Sequence, residues 1–154
     1  MTSGSGRPFY DFLGLVVDPR EDLSVVALPY RAELGNSREQ VHGGAIAALL
    51  DAAMSRAVRL ACPQAAGVAT ISATVHYLAP GTKDLTAQGD VISAGGTIAV
   101  AHADAYTAEG ILVATGTGTF RLFKARFTGN EQKDTSAAIP LEAKALGKEE
   151  HANG

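Results

Sequence analysis

The sequence predicts an α+β domain in which one curved antiparallel β-sheet wraps around a single long helix. Residues 43–61 have the apolar composition of one continuous buried helix, and several other stretches have strand patterns separated by short turns. One helix and one sheet bury their apolar faces most simply against each other, so we expect the sheet to curve around the helix.

Residues 8–17 form a short amphipathic segment that is expected to pack across an open end of the fold. Residues 23–30 are predicted to be the first strand, in which Pro29 favours an edge position or a strand end. A polar loop over residues 31–40 then leads to the helix.

The helix is predicted to run from about Gly43 to Ala61. After Gly43 and Gly44 the residues are apolar on every side, which is typical of a buried helix. The pair Cys62 and Pro63 ends it, because a residue before proline disfavours helical backbone angles.

Beyond Gly67 the pattern alternates with period two, which predicts a strand. One predicted face carries Ile71, Ala73, Val75 and Tyr77, and the other carries Thr70, Ser72, Thr74 and His76. Three further strands over residues 85–93, 97–107 and 111–123 are joined by short turns that contain glycine, and they are expected to form an antiparallel meander.

The length of 154 residues, with 46% hydrophobic and 19% charged residues, indicates one globular domain. We predict a flexible leader over residues 1–8, the folded domain over residues 9–125 and a disordered tail over residues 126–154.

Charge and cysteine content exclude several functions. The net charge of -3, without a run of five or more basic residues, argues against nucleic-acid binding. The single cysteine, Cys62, cannot form an internal disulfide, and no Cys or His spacing predicts a metal site.

The apolar run over residues 12–17 is too short for export or for membrane spanning, so we expect a cytoplasmic protein without membrane contact.

Asp51 lies in the middle of the apolar helix. Its helical neighbours three or four residues away are Ala47, Ala48, Met54 and Ser55, so no cation is within reach. Because an ionised carboxylate is costly to bury without a partner, the side chain must face a cleft or find a partner outside the helix. Both arrangements indicate a functional site, and the alternative is a structural ion pair with an arginine from elsewhere in the fold.

The spacing of His42 and Asp51 indicates a dimer. Nine residues of helix correspond to about 13.5 Å of rise and a rotation of about 180°. The two side chains therefore cannot converge on one substrate atom within a single chain. If both are functional, the helix must meet a second copy of itself.

A resemblance to a known family rests on these same residues. The chain resembles the hotdog-fold acyl-CoA thioesterases of the PaaI type over roughly residues 10–125. The matching features are Asn36, the run His42-Gly43-Gly44, Asp51, the run from Gly67 to Thr70 and the strand end Tyr77-Leu78-Ala79-Pro80.

The resemblance implies an acyl-CoA thioesterase for aryl or medium-chain acyl groups, which works as a homodimer that pairs into a homotetramer. It implies no cofactor, since coenzyme A is part of the substrate. In such enzymes the backbone N–H at the Gly43 position and the Asn36 amide polarise the thioester carbonyl. Asp51 of the neighbouring subunit activates water or attacks directly.

Further site residues have both functional and structural interpretations. His42 is a catalytic candidate by resemblance but could simply cap the helix, and Asn36 could be a plain turn residue. Thr70 aligns with a hydroxyl position in some relatives. Gly44 is a substrate-binding candidate, because a helix N-terminus presents free N–H groups. Arg121, Lys124 and Arg126 could meet the phosphates of coenzyme A or be solvated strand-end cations.

Two alternative functions remain open at this point. A non-catalytic acyl-CoA-binding module would share the same pocket without productive water. A hotdog enoyl-CoA hydratase is less favoured, because the arrangement of Asp and His expected of those enzymes is absent from the sequence. A serine nucleophile is not expected, since no G-x-S-x-G motif is present.

Overall fold

The computed structural model describes residues 7–20 and 24–124. Helix α1 spans Pro8–Leu13. Helix α2 spans Gly43–Ala61, as predicted. The strands are β1 (Val16–Val17), β2 (Val25–Leu28), β3 (Ala65–Tyr77), β4 (Leu85–Gly95), β5 (Ile98–Thr107) and β6 (Leu112–Lys124). The predicted tail over residues 126–154, and the leader up to residue 6, lie outside the described residues, so those two boundaries stay predictions.

All six strands form one antiparallel sheet with the order β1-β2-β4-β5-β6-β3. Strands β4, β5 and β6 follow one another in the chain and pair in that order, which confirms the predicted meander. The sheet curls around α2, which contacts β2, β3, β4, β5 and β6. The predicted fold class, one curved sheet around one long helix, is confirmed.

Small residues on the inner face of the sheet let α2 lie close to it. At Gly89 of β4, a Cβ atom would lie 2.6 Å from the carbonyl carbon of Ala53 in the helix, so only glycine fits there. Larger buried side chains, among them Leu50, Met54 and Phe120, complete the core. The inner face also carries a series of buried alanines, namely Ala87, Ala99, Ala101, Ala103, Ala105 and Ala114.

The expectation that α2 is buried on every side is wrong for one stripe of the helix. Ala47, Ala48, Asp51 and Ser55 recur at helical spacing and are partly exposed. The sheet surrounds the rest of the helix circumference. Within the described ranges this stripe is only partly covered, by side chains such as Tyr10 of α1, whose hydroxyl lies 3.4 Å from the Ser55 hydroxyl.

Two N-terminal elements differ from the prediction. Residues 8–17 divide into α1 and β1, because Gly14 takes a positive φ of 71° that ends the helix. The first long strand is β2, which is shorter than residues 23–30. It stops at Leu28 because Pro29 has no N–H to continue the ladder.

A β-bulge in β3 overturns the predicted assignment of its faces. The register shifts between Thr70 and Ser72, so that Thr70 pairs with the buried Phe120 while Ser72 pairs with Thr119. One extra residue reverses the alternation of side chains. The prediction that Thr70 shares a face with Ser72 is therefore wrong: Thr70 lies on the inner face, towards α2.

Strand β3 is a long edge strand. It has 13 residues, pairs only with β6 within the described part of the chain, and contains no buried residue. Ile71, at the bulge, is 56% exposed. Such an edge presents free backbone groups that can pair with another strand.

Candidate active site

Asp51 and Thr70 form the first half of the candidate site. Asp51 lies on the open stripe of α2, where it is half-buried, and its Oδ1 accepts a hydrogen bond of 2.7 Å from the Thr70 hydroxyl. The bulge in β3 brings Thr70 to this position. Asp51 forms no ion pair among the described residues, so the structural ion pair that we considered for it is not found there.

Asp51 also lines a cavity of about 300 Å³ between α2, α1 and β1. We expected the Asp51 carboxylate either to face a cleft or to find a partner outside the helix. The structure has both, since Asp51 lines this cavity and bonds to Thr70. The walls are partly apolar, with Val17, Leu60 and Val68, and partly polar, with Tyr10 and Ser55.

The loop before α2 holds Asn36 by its side-chain oxygen. Asn36 Oδ1 accepts hydrogen bonds from the backbone N–H groups of Arg38 (2.8 Å) and Gln40 (3.2 Å), which is the geometry of an Asx turn. The backbone N–H of Asn36 donates to the Gln40 carbonyl oxygen at 2.7 Å. The turn role and the donor role of Asn36 are thus compatible, because the turn uses the oxygen and leaves the Nδ2 group able to donate.

His42 caps α2, which is the structural alternative considered for it. Its Nδ1 accepts a hydrogen bond of 2.9 Å from the Gly44 N–H. An accepting Nδ1 means that the neutral ring carries its proton on Nε2. The Gly44 N–H is therefore engaged by His42, and the catalytic role of His42 and the substrate contact of Gly44 stay predictions.

The backbone N–H of Gly43 takes no part in the hydrogen bonds at the start of α2. The N–H groups of Ala45 and Ile46 bond to the His42 carbonyl oxygen, and that of Gly44 bonds to the His42 ring. Within the described ranges, no acceptor is found for the Gly43 N–H. The free donor at the helix N-terminus is thus at the position where the resemblance implies a carbonyl-polarising group.

Tyr77 is a further residue of this region, and the sequence alone predicted no role for it. Its hydroxyl donates a hydrogen bond of 2.8 Å to the Gly43 carbonyl oxygen. A Cβ atom on Gly43 would lie 3.3 Å from the Tyr77 ring, so glycine permits this close approach. The tyrosine at the end of a strand was the signal in the sequence, but its partner could not be identified from spacing.

Asn36, Gly43 and Tyr77 line a second cavity, of about 340 Å³, that has no lining residue in common with the Asp51 cavity. Gly43 and Asp51 are eight residues apart on α2, which corresponds to about 12 Å of rise. One chain therefore brings Asp51 to Thr70, and Asn36 to Gly43, but it does not bring the two pairs together.

Arg121 and Lys124 lie near the end of β6, and both are exposed. Arg121 follows the buried Phe120, so its side chain is on the outer face of the sheet. Neither residue lines one of the two cavities, and their contact with coenzyme A stays a prediction. The third candidate, Arg126, lies outside the described residues.

A separate polar cluster lies on the outer face of the sheet. The Asp104 carboxylate contacts His102 Nε2 at 3.1 Å and accepts a hydrogen bond from the Tyr106 hydroxyl at 3.3 Å. Burial raises the pKa of Asp104, but the hydrogen bond from Thr115, the charge of His102 and the bond from Tyr106 outweigh burial and hold the pKa below its usual value. This cluster stabilises the carboxylate, and none of its residues lines either cavity.

The described residues form neither a metal site nor a membrane-spanning helix. Among residues 7–20 and 24–124, no group of three or more His, Cys, Asp or Glu side chains could hold a metal ion. No helix in those same ranges is long and apolar enough to cross a membrane.

Comparison with known proteins identifies the family. The model of the thioesterase superfamily matches residues 40–114, a range that includes Asp51, Thr70 and Tyr77 but not Asn36. A protein of Halobacterium salinarum, named "Putative esterase", is 41% identical over 125 residues, which cover 73% of this chain and 83% of that protein.

Solved structures share the fold. A Bacillus halodurans protein solved with CoA is 31% identical, with a TM-score of 0.68, over 75% of this chain and 75% of that one. The Escherichia coli PaaI protein of the phenylacetic acid degradation operon is 23% identical, with a TM-score of 0.67, over 75% of this chain and 84% of that one, and it supports the fold alone. The family model and the esterase relative support a hydrolase activity. Together with the solved structures, they show that the chain belongs to the thioesterase superfamily and has the hotdog fold.

Proposed function

We propose that the protein is an acyl-CoA thioesterase that hydrolyses an aryl- or medium-chain acyl-CoA to the free acid and coenzyme A. The observation that carries the proposal is the Asp51 carboxylate, which faces a cavity, accepts a hydrogen bond from Thr70 and has no ion-pair partner among the described residues. A carboxylate in that position is able to accept a proton from water. The superfamily membership and the relative solved with CoA support the substrate class.

The second cavity supplies the groups that would polarise the thioester carbonyl. The Gly43 N–H, which has no acceptor among the described residues, lies at the positive end of the α2 dipole, and the Asn36 amide is oriented by its own turn. Both can donate to the oxyanion that develops on the carbonyl oxygen. A single donor of this kind contributes about 2.7–4 kcal/mol to stabilisation of the transition state.

Two chemical routes use the same groups. In the first, Asp51 removes a proton from water while the water oxygen bonds to the thioester carbon. The C–S bond then breaks, and coenzyme A leaves as a thiolate that takes up a proton. In the second, an Asp51 oxygen attacks the thioester carbon and expels the thiolate, and water then hydrolyses the resulting anhydride.

The proposed site needs two chains, because one chain holds Asp51 and the carbonyl-polarising groups in different cavities. The exposed edge of β3 supports a dimer in which the edge strands of two copies pair about a two-fold axis and extend the sheet. The open stripe of α2 is where the helices of the two copies would face each other. Pairing of dimers into a tetramer is proposed on the family resemblance alone.

A panel of aryl-, medium-chain and short-chain acyl-CoAs tests the proposal, with release of free thiol as the measurement. We expect turnover that depends on the acyl group. Binding of acyl-CoAs without any thiol release would identify a non-catalytic binding module instead. Hydration of an enoyl-CoA without thiol release would identify a hydratase.

Asp51→Asn is the matched variant for this assay. The amide has nearly the same volume and carries no charge, so the fold should persist, but it cannot accept a proton. We expect kcat to fall by about 10²–10⁴-fold, the usual contribution of a positioned general base. A folded Asp51→Asn variant with near-normal kcat would refute the proposed role of this residue.

A further inference from the structure

The cavity beside Asp51 is lined by three arginines. Arg7 from the start of the described chain and Arg56 and Arg59 from the last turns of α2 lie around it. The same arginines also line an adjoining cavity of about 720 Å³ towards β1. A neutral thioester next to Asp51 would not by itself require such a concentration of positive charge.

The three arginines differ in what they contact. Arg56 Nη2 donates hydrogen bonds to the backbone carbonyl oxygens of Asp18 (2.9 Å) and Arg20 (2.7 Å), so this side chain holds the segment after β1. The Arg7 guanidinium lies 5.6 Å from the centre of the Tyr10 ring, in a cation–π contact. Both therefore have structural roles.

Arg59 complements the dipole of α2 as a cation in its last turn, but in the described part of the chain its guanidinium makes no such contact. Its side chain is exposed at the cavity wall and forms no hydrogen bond or ion pair with any described residue. The nearby carboxylate of Asp18 is already paired with Arg20 through two hydrogen bonds, of 3.0 and 2.7 Å, which with the backbone bond of Arg20 lower its pKa to about 2. Arg59 is thus available to a ligand.

We infer that Arg59 binds an anionic group at the far end of the acyl chain, so that the preferred substrates are acyl-CoAs whose acyl group ends in a carboxylate. The inference rests on the proposed function, because it takes the thioester to lie beside Asp51. Arg59 is eight residues beyond Asp51, about 12 Å along α2. A medium-length acyl chain that starts at Asp51 and follows the cavity would bring its end to this guanidinium.

An anion could also come from the phosphates of coenzyme A, but the walls of the cavity favour the acyl end. The cavity that Asp51 and Arg59 share is also lined by the apolar side chains of Leu60, Val17 and Val68, which suit a hydrocarbon chain. A hydrocarbon chain that carries its charge only at its end matches both these apolar walls and the guanidinium of Arg59.

The test measures binding rather than turnover. The probes are S-hexyl-CoA and its ω-carboxy analogue of the same chain length, two thioethers that cannot be hydrolysed. Their Kd values are measured by calorimetry with the full-length wild type, with Arg59→Gln and with Arg59→Lys. Lys83→Ala is the control for loss of one positive charge, since Lys83 is 74% exposed and lines neither of these cavities.

We expect the wild type to bind the carboxylate probe about 5- to 10-fold more tightly than the methyl probe, a ratio typical of a partly exposed charged hydrogen bond. Arg59→Gln should abolish this preference, Arg59→Lys should retain part of it, and Lys83→Ala should retain all of it. Equal affinity of the wild type for the two probes, or an unchanged preference in Arg59→Gln, would overturn the inference.

Pantetheine versions of both probes, which lack the phosphates of coenzyme A, identify the other source of the anion. If Arg59→Gln weakens both CoA probes equally and neither pantetheine probe, Arg59 binds a phosphate and the inference is wrong. Because thioethers require no catalysis, the outcome is independent of the thiol-release assay, whose failure would refute the proposed function alone.

Discussion

The separation of the two cavities allows a test of the shared site by mixing inactive variants. Asn36→Ala removes a donor from one cavity, and Asp51→Ala removes the carboxylate from the other. Each variant alone should be nearly inactive, because both sites of its homodimer carry the defect. In a mixed dimer, one site combines Asn36→Ala with Asp51→Ala, whereas the other site combines the two intact residues.

The expected recovery follows from counting dimers. Random reassortment of equal amounts of the two variants makes about half of the dimers mixed, and half of the sites in those dimers are intact. Activity should therefore reach about a quarter of the wild-type value. A site contained within one chain would recover nothing, since every chain carries one defect.

A double variant provides the matched control. When a chain carrying both Asn36→Ala and Asp51→Ala is mixed with wild type, a shared site leaves only the wild-type dimers active, about a quarter of the total. A site within one chain would instead leave about half of the activity.

The variants are unfolded and refolded together, heterodimers are isolated with two different affinity tags, and thiol release is measured. Inactive heterodimers of the single variants, together with half activity in the control, would refute a site shared between chains.

Three further predictions follow from single contacts. Thr70→Val removes the 2.7 Å hydrogen bond to Asp51 and should lower kcat about 10-fold, while Thr70→Ser keeps the hydroxyl and most of the activity; equal kcat values for the two variants would contradict this role. Gly89→Ala places a methyl group against the helix backbone and should lower the free energy of unfolding by about 1–3 kcal/mol in urea titrations. Gly95→Ala, where nothing lies within 4 Å, should have little effect, and similar losses for both would show that packing against α2 is not the cause. Because the pKa of Asp104 is lowered in the folded state, its carboxylate stabilises the fold above pH 3.8 and loses that effect as the pH falls below this value. The stability difference between wild type and Asp104→Asn, followed by thermal unfolding, should therefore shrink on acidification, and a difference that grows would contradict the assignment.

The sequence by itself determined the elements and the chemical character of the site. A 19-residue apolar helix ended by Pro63 and a meander of alternating strands are consequences of local periodicity, which the printed residues carry directly. The isolation of Asp51 is also local, since helical neighbours lie three or four residues away and none is a cation. The spacing of His42 and Asp51 was enough to exclude their convergence within one chain.

Tertiary structure decided which groups meet, because such contacts join residues that are distant in the chain. The bulge that turns Thr70 towards Asp51 is a register shift between β3 and β6, and strand register depends on the partner strand. Tyr77 reaches the Gly43 carbonyl across 34 residues. The open stripe of α2 and the position of Arg59, whose guanidinium has no hydrogen-bond partner among the described residues, depend on where the curved sheet ends around the helix. The position at which the sheet ends around α2 cannot be read from periodicity in the sequence. It depends on the size of the inner-face side chains and on the curvature of the sheet.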